Sequence, residues 1–117
     1  MKTQGRKTIR KLKLERIVRL LRRELSSIPD VNTWALQAGV STSWLLYSVK
    51  SEYKVTPKVF LKNLRFKRIS DHIIKDIEVT GYELALEAGL RDEVALSKFL
   101  RRHFDTSLVK LKCKLHG

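Results

Sequence analysis

The chain has 117 residues, 43% of them hydrophobic, enough for one compact unit or two very small lobes and too many for a disordered chain. Twenty-five Lys and Arg against twelve Asp and Glu give a formal charge of +13, a self-repelling excess that calls for a polyanionic partner. Nucleic acid leads, ribosomal RNA included, with an anionic membrane surface as the alternative, and no apolar run approaches the roughly 18 residues of a membrane span. The basic start lacks the apolar stretch of a secretory signal, and Cys113 is the only cysteine, so no intrachain disulfide forms. A reducing, cytoplasmic home is expected.

Residues 1–13 read as a mobile basic arm, carrying Lys2, Arg6, Lys7, Arg10, Lys11 and Lys13 without an acid. Such an arm suits phosphates and is expected to add affinity without adding specificity. Leu14, Ile17, Val18, Leu21, Leu25 and Ile28 then recur at three- and four-residue steps, the apolar stripe of an amphipathic helix that Pro29 ends. Asp30 caps a short helix from Val31 to Ala38, which Gly39 stops, and Ser41 caps a third helix running to Tyr53. Thr56-Pro57 opens a long helix to Lys75, with Phe60, Leu64, Ile69 and Ile73 turned inward. Thr80-Gly81-Tyr82-Glu83 fits a capping box ahead of a fifth helix ending at Gly89. Asp92 caps the sixth helix, whose stripe is Leu96, Phe99, Leu100 and Phe104, and a last helix covers about Ser107 to Lys114. No segment alternates with period two, so the expected class is all-α.

One phrase occurs twice. Ala35-Leu36-Gln37-Ala38-Gly39 returns as Ala85-Leu86-Glu87-Ala88-Gly89, fifty residues on, each copy followed by an apolar residue. Small alanines let two helices cross closely, and glycine permits the sharp turn between them. The pattern reads as a helix-turn-helix written twice, with Leu45 and Leu96 pinning the second helix of each pair. Tyr53 and Phe104 close those helices 51 residues apart, so the second turn is read as one residue longer. The intervening helix, some nineteen residues, spans roughly 28 Å. Adjacent major-groove segments on one face of B-DNA lie about 34 Å apart.

These features resemble the DNA-binding domain of the AraC/XylS transcription regulators, over nearly the whole chain from about Leu14 to Lys112. The likeness is carried by AGVSTSWLLYSVKSEYKVTPKVFLKNLRFKR (38–68) and YELALEAGLRDEVALSKFLRRHF (82–104). It implies seven helices in two lobes joined by a long helix, with both recognition helices on one face of promoter DNA. It also implies an activator that contacts RNA polymerase. The chain departs from the family pattern at Leu90, at Lys54 in place of a glycine, and at Asp105-Thr106-Ser107-Leu108 and Leu111-Lys112. No sensory domain accompanies the pattern, which matches the small stand-alone members or an excised C-terminal domain. The corresponding division is an arm (1–13), a first lobe (14–56), a linker helix (57–77) and a second lobe (78–117).

With Leu45, Val49 and Tyr53 inward, the third helix presents Thr42, Ser43, Leu46, Tyr47 and Lys50. Ser43, Leu46 and Tyr47 match the family's base-reading positions. The sixth helix presents Glu93, Val94, Ser97, Lys98 and Arg101, followed by Arg102. Glu93 can accept from a cytosine amino group, Lys98 can donate to guanine, and Arg101 with Arg102 suits phosphate. The first lobe is therefore expected to discriminate bases and the second to supply more phosphate contact. His72, His103, His116 and Cys113 lack zinc-site spacing, and no phosphate loop or nucleophile motif occurs, so neither metal, cofactor nor catalysis is expected. Trp34 and Trp44 read as packing residues. The resulting expectation is a monomeric, sequence-specific regulator of double-stranded DNA. Its rivals are a basic protein coating DNA or RNA without reading sequence, and an excised interaction domain of a larger regulator.

Overall fold

The computed structural model describes residues 2–117, with side chains from Ile9 onward. Among the described residues it contains seven α-helices: α1 (Lys2–Arg23), α2 (Val31–Ala38), α3 (Thr42–Tyr53), α4 (Pro57–Lys75), α5 (Gly81–Glu87), α6 (Glu93–Phe104) and α7 (Leu108–His116). The class is all-α, as the patterning requires. The chain divides into two compact units, residues 1–62 and 63–117, and the division falls inside α4.

In the first unit α1 packs against both α2 and α3. All six residues of the first apolar stripe, Leu14 to Ile28, are buried. The helix itself differs from its sequence reading at both ends. It begins at Lys2 rather than near Leu14, and gives way after Arg23 to a 3-10 turn at Leu25–Ser27. That tighter turn carries Leu25 and Ile28 inward while bringing the backbone to Pro29, whose ring disfavours α conformation at Ile28. Trp34 on α2 is fully buried and its indole nitrogen donates to the Ile17 carbonyl at 3.2 Å. Its ring stacks on Phe60, which also meets Tyr53, so α2, α3 and the start of α4 share an aromatic cluster. Burial in that cluster pushes the Tyr53 phenol pKa up, with the charge of Arg22 acting in the opposite direction.

The second unit centres on Ile69 and Ile73 of α4, Leu84, Ala85 and Ala88 around α5, Leu96, Phe99 and Leu100 of α6, and Leu111 of α7. Phe66 and Phe104 stack at its edge, with ring centroids 3.9 Å apart. Of the four inward positions expected on α4, Ile69 and Ile73 are buried, whereas Phe60 and Leu64 are half-buried. Leu61 and Arg65 join the buried set instead, at 2% and 7% exposure. Arg65 is there because its Nε donates to the Ala88 carbonyl at 3.0 Å, at the C-terminal end of α5, where cations are favoured.

Both copies of the repeated phrase close in the same way. Gly39 and Gly89 adopt left-handed backbones, with φ of 71° and 78°. In the first copy Val40 N–H donates to Ala35 and Gly39 N–H to Leu36; in the second, Leu90 N–H donates to Ala85 and Gly89 N–H to Leu86. These bonds satisfy carbonyls that a helix end otherwise leaves unpaired. The expected extra residue in the second turn is present: Gly39 precedes α3 by three residues, and Gly89 precedes α6 by four.

Candidate nucleic-acid interface

The first candidate surface is the outward face of α3. Ser41 starts the helix by accepting from the Trp44 N–H at 3.0 Å, which sets the rotation of everything after it. Leu45 and Val49 are fully buried, and Thr42, Ser43, Leu46, Tyr47 and Lys50 are consequently all exposed. Leu46 is 47% exposed and Tyr47 63%, high values for an aliphatic and an aromatic side chain on a packed helix. A shallow depression of about 430 Å³ runs along this face, lined by Ser43, Leu46, Tyr47, Lys50 and Ser51. A second depression, about 300 Å³, joins Thr42, Ser43 and Leu46 to Val31 and Asn32 of α2 and to Thr56, Pro57 and Lys58 at the start of α4. Sequence patterning alone does not single out Asn32 or Lys58. The one local signal is their place in the first turns of α2 and α4, where backbone N–H groups face outward.

Two further side chains reach this face from α1. The Arg10 guanidinium lies 5.0 Å from the centre of the Tyr47 ring, and the Lys13 ammonium lies 4.9 Å from the Trp44 ring. Lys11 pairs with Glu52 at 3.7 Å. Residues 2–13 thus continue α1, and three of the six cations expected on a mobile arm pack on α3. The side chains of Lys2, Arg6 and Lys7 lie outside the described residues. Trp34 is a core residue as expected, while Trp44 is half-buried beneath Lys13.

The second candidate surface is the outward face of α6. Asp92 caps it, accepting from Ala95 N–H at 2.8 Å. That N–H, aided by Arg91, holds the Asp92 carboxyl below the usual carboxylate range. Glu93, Val94, Ser97, Lys98, Arg101 and Arg102 are all exposed. Glu93 does not extend freely outward: a methyl group added at Gly81 would stand 3.3 Å from its Oε2 and 3.4 Å from Leu108. Arg101 borders a depression of about 320 Å³ with Asp105, Thr106, Ser107 and Lys110, at the junction of α6 and α7.

Three acids of the second unit pair with cations other than those of the α6 face. Arg68 and His72 share Glu87, Lys67 pairs with Asp71, and Arg91 with Asp92. Among the described residues no ion pair takes up Lys50, Lys98, Arg101 or Arg102. Among the same residues no group of His, Cys, Asp and Glu is placed to hold a metal ion, and no helix is long and apolar enough to cross a membrane.

No family model matches the sequence, and no curated protein matches it. Among solved structures, the chain is similar to a transcriptional regulator (AraC-type DNA-binding domain-containing proteins) from Chromobacterium violaceum. The identity is 19%, with 90% of this chain and 93% of that chain covered, at a TM-score of 0.70. At this identity the likeness shows the fold alone: this chain has the architecture of that AraC-type regulator.

Proposed function

We propose that this chain is a sequence-specific transcription regulator that binds double-stranded DNA through two recognition helices, α3 and α6. The observation that carries this reading is the duplicated turn. Each copy closes with the same pair of hydrogen bonds, and each is followed by a twelve-residue helix with an exposed outer face. On α3 that face offers Thr42, Ser43, Leu46, Tyr47 and Lys50; on α6 it offers Glu93, Val94, Ser97, Lys98, Arg101 and Arg102. Hydroxyls and an aliphatic side chain suit base edges and thymine methyls, and the arginines suit phosphates. The solved AraC-type regulator with the same fold supports the choice of DNA over RNA or a membrane surface.

The nineteen-residue α4 motivates the proposal that the two helices enter adjacent major grooves. A DNase footprint covering about two helical turns, ~20 base pairs, is the expected result. The main apolar stripes are buried inside the two units and no heptad seam is seen among the described residues, so the chain is proposed to act as a monomer, in the cytoplasm. Sedimentation should give the mass of one chain over a wide concentration range, and a stable dimer would refute it. Contact with RNA polymerase follows from the AraC/XylS resemblance and is tested by transcription in vitro with and without the chain. Random-sequence DNA selection is the primary test. An enriched motif supports the reading, and recovery of unrelated sequences at equal affinity would assign the chain to the coating proteins instead.

A further inference from the structure

The contacts between α1 and α3 form a ladder with two rungs. Arg10 lies over Tyr47 and Lys13 over Trp44, at 5.0 and 4.9 Å from the ring centres. Three residues separate the cations and three separate the rings, in opposite chain directions, so one helix face lies along the other. A cation within about 6 Å of an aromatic face is held by the ring's quadrupole, and arginine adds planar stacking. Tyr47 is 63% exposed and borders the depression along α3, and a ring so exposed is otherwise free to change rotamer. The guanidinium supplies what the core does not: a second surface against which the ring is oriented. It also covers one ring face, leaving the ring edge and hydroxyl to meet a base.

We propose that Arg10 is a positioning residue for base recognition, holding Tyr47 in the orientation that reads the major groove. This rests on the DNA-reading role proposed for α3. It also departs from the arm reading of the sequence, in which Arg10 adds affinity and no specificity. Arg10 acts here through a neighbouring side chain, so its loss alters which sequences are preferred.

The test uses the full chain, the duplex selected by the wild type, and duplexes with single base pairs substituted. Tyr47→Ala should flatten the preference at one or two base pairs. Arg10→Ala should flatten the preference at those same base pairs by about two- to fivefold, the size of an exposed cation–aromatic contact. Arg10→Lys, which keeps a cation over the ring, should restore most of it. In a Tyr47→Ala background, Arg10→Ala should change preference no further, because the two residues act as one unit. Helix content by circular dichroism separates these effects from loss of folding, and Arg10→Lys provides a variant expected to fold in any case.

If Arg10→Ala weakens every duplex equally and lowers only the salt slope, Arg10 is a phosphate contact and the proposal is overturned. It is overturned as well if Tyr47→Ala leaves every base-pair preference intact. If the wild-type chain selects no motif at all, the DNA-reading role of α3 fails, and the positioning role fails with it.

Discussion

Lys54 and Asp105 are the two non-glycine residues with positive φ among the described residues, at 65° and 48°. Each directly follows the second helix of a repeat, α3 or α6, so the strain sits at the same place in both repeats. Side chains in this region clash with the following carbonyl at a cost of about 1–2 kcal/mol, less for aspartate, which visits it more readily. Lys54 stands where the resembled family has glycine, and the backbone still takes the glycine conformation. Lys54→Gly should therefore stabilise the chain by about 0.5–1 kcal/mol after the greater chain entropy of glycine is deducted. The exposed bond from Lys54 Nζ to the Ser51 carbonyl is a small loss beside this. Urea unfolding checks it: the midpoint should rise, and a fall would show that the lysine side chain outweighs the strain. Asp105→Gly should give a smaller gain.

At the scale of the element, the helices are held by their ends. Asp30, Ser41, Thr80, Asp92 and Ser107 each accept a hydrogen bond from an N–H three residues on, and Thr80 with Glu83 forms a complete capping box. Asp92 also carries a pH signature. The Ala95 N–H, with the Arg91 charge, favours its ionised form, so its folded pKa lies below the ordinary 3.8. A lowered folded pKa means a contribution fully present above 3.8 and lost as pH falls from there through the folded value. Asp92→Asn keeps an acceptor but not the charge. The stability gap between wild type and this variant should be constant near neutral pH and close as pH drops below about 4, measured by thermal unfolding. A gap that widens in acid would contradict the capping account. Arg65 ties α4 to α5 from the side, through the Ala88 carbonyl. Arg65→Met retains the stem and removes the charged donor, and should cost about 1.5–3 kcal/mol. Amide exchange should quicken at Ala88 and Gly89 in that variant. Unchanged exchange and stability would mean that the guanidinium's desolvation cancels its hydrogen bonding.

For the whole molecule, the outward faces of α3 and α6 differ in kind. The outward side chains of α3 itself are neutral apart from Lys50, with Arg10 and Lys13 added from α1, whereas the α6 face ends in Lys98, Arg101 and Arg102. Charge confers salt-dependent affinity, and short neutral side chains in a groove confer contact-limited selectivity. Under the proposed function, replacing Arg101 and Arg102 by Ala should weaken all duplexes alike and lower the salt slope by about one unit for each phosphate no longer neutralised. Tyr47→Ala should instead relax preference at one or two base pairs by about 1–3 kcal/mol each. A salt titration of both variants on a selected and a scrambled duplex separates these effects. If the arginine pair altered specificity and Tyr47 only the salt slope, the two lobes would have exchanged roles.

What the sequence determined by itself are the features set within one helical turn. Caps at Asp30, Ser41, Thr80 and Asp92 were legible because donor and acceptor lie three residues apart, and the buried stripes because burial follows the helical period. The outward faces of α3 and α6 follow from those two facts alone. Their exposure was therefore legible, although exposure does not identify a DNA contact. Other features depended on partners far along the chain. Residues 2–13 carry no apolar stripe, and the cations at 10, 11 and 13 pack on side chains of α3 more than thirty residues away. Arg65 reads as a surface arginine until Ala88, 23 residues on, offers it a carbonyl. Glu93 reads as an outward acid until Gly81 and Leu108 are placed beside it. Only the tertiary structure decides such cases, because the free energy of a long side chain depends on which surface packing brings within its reach.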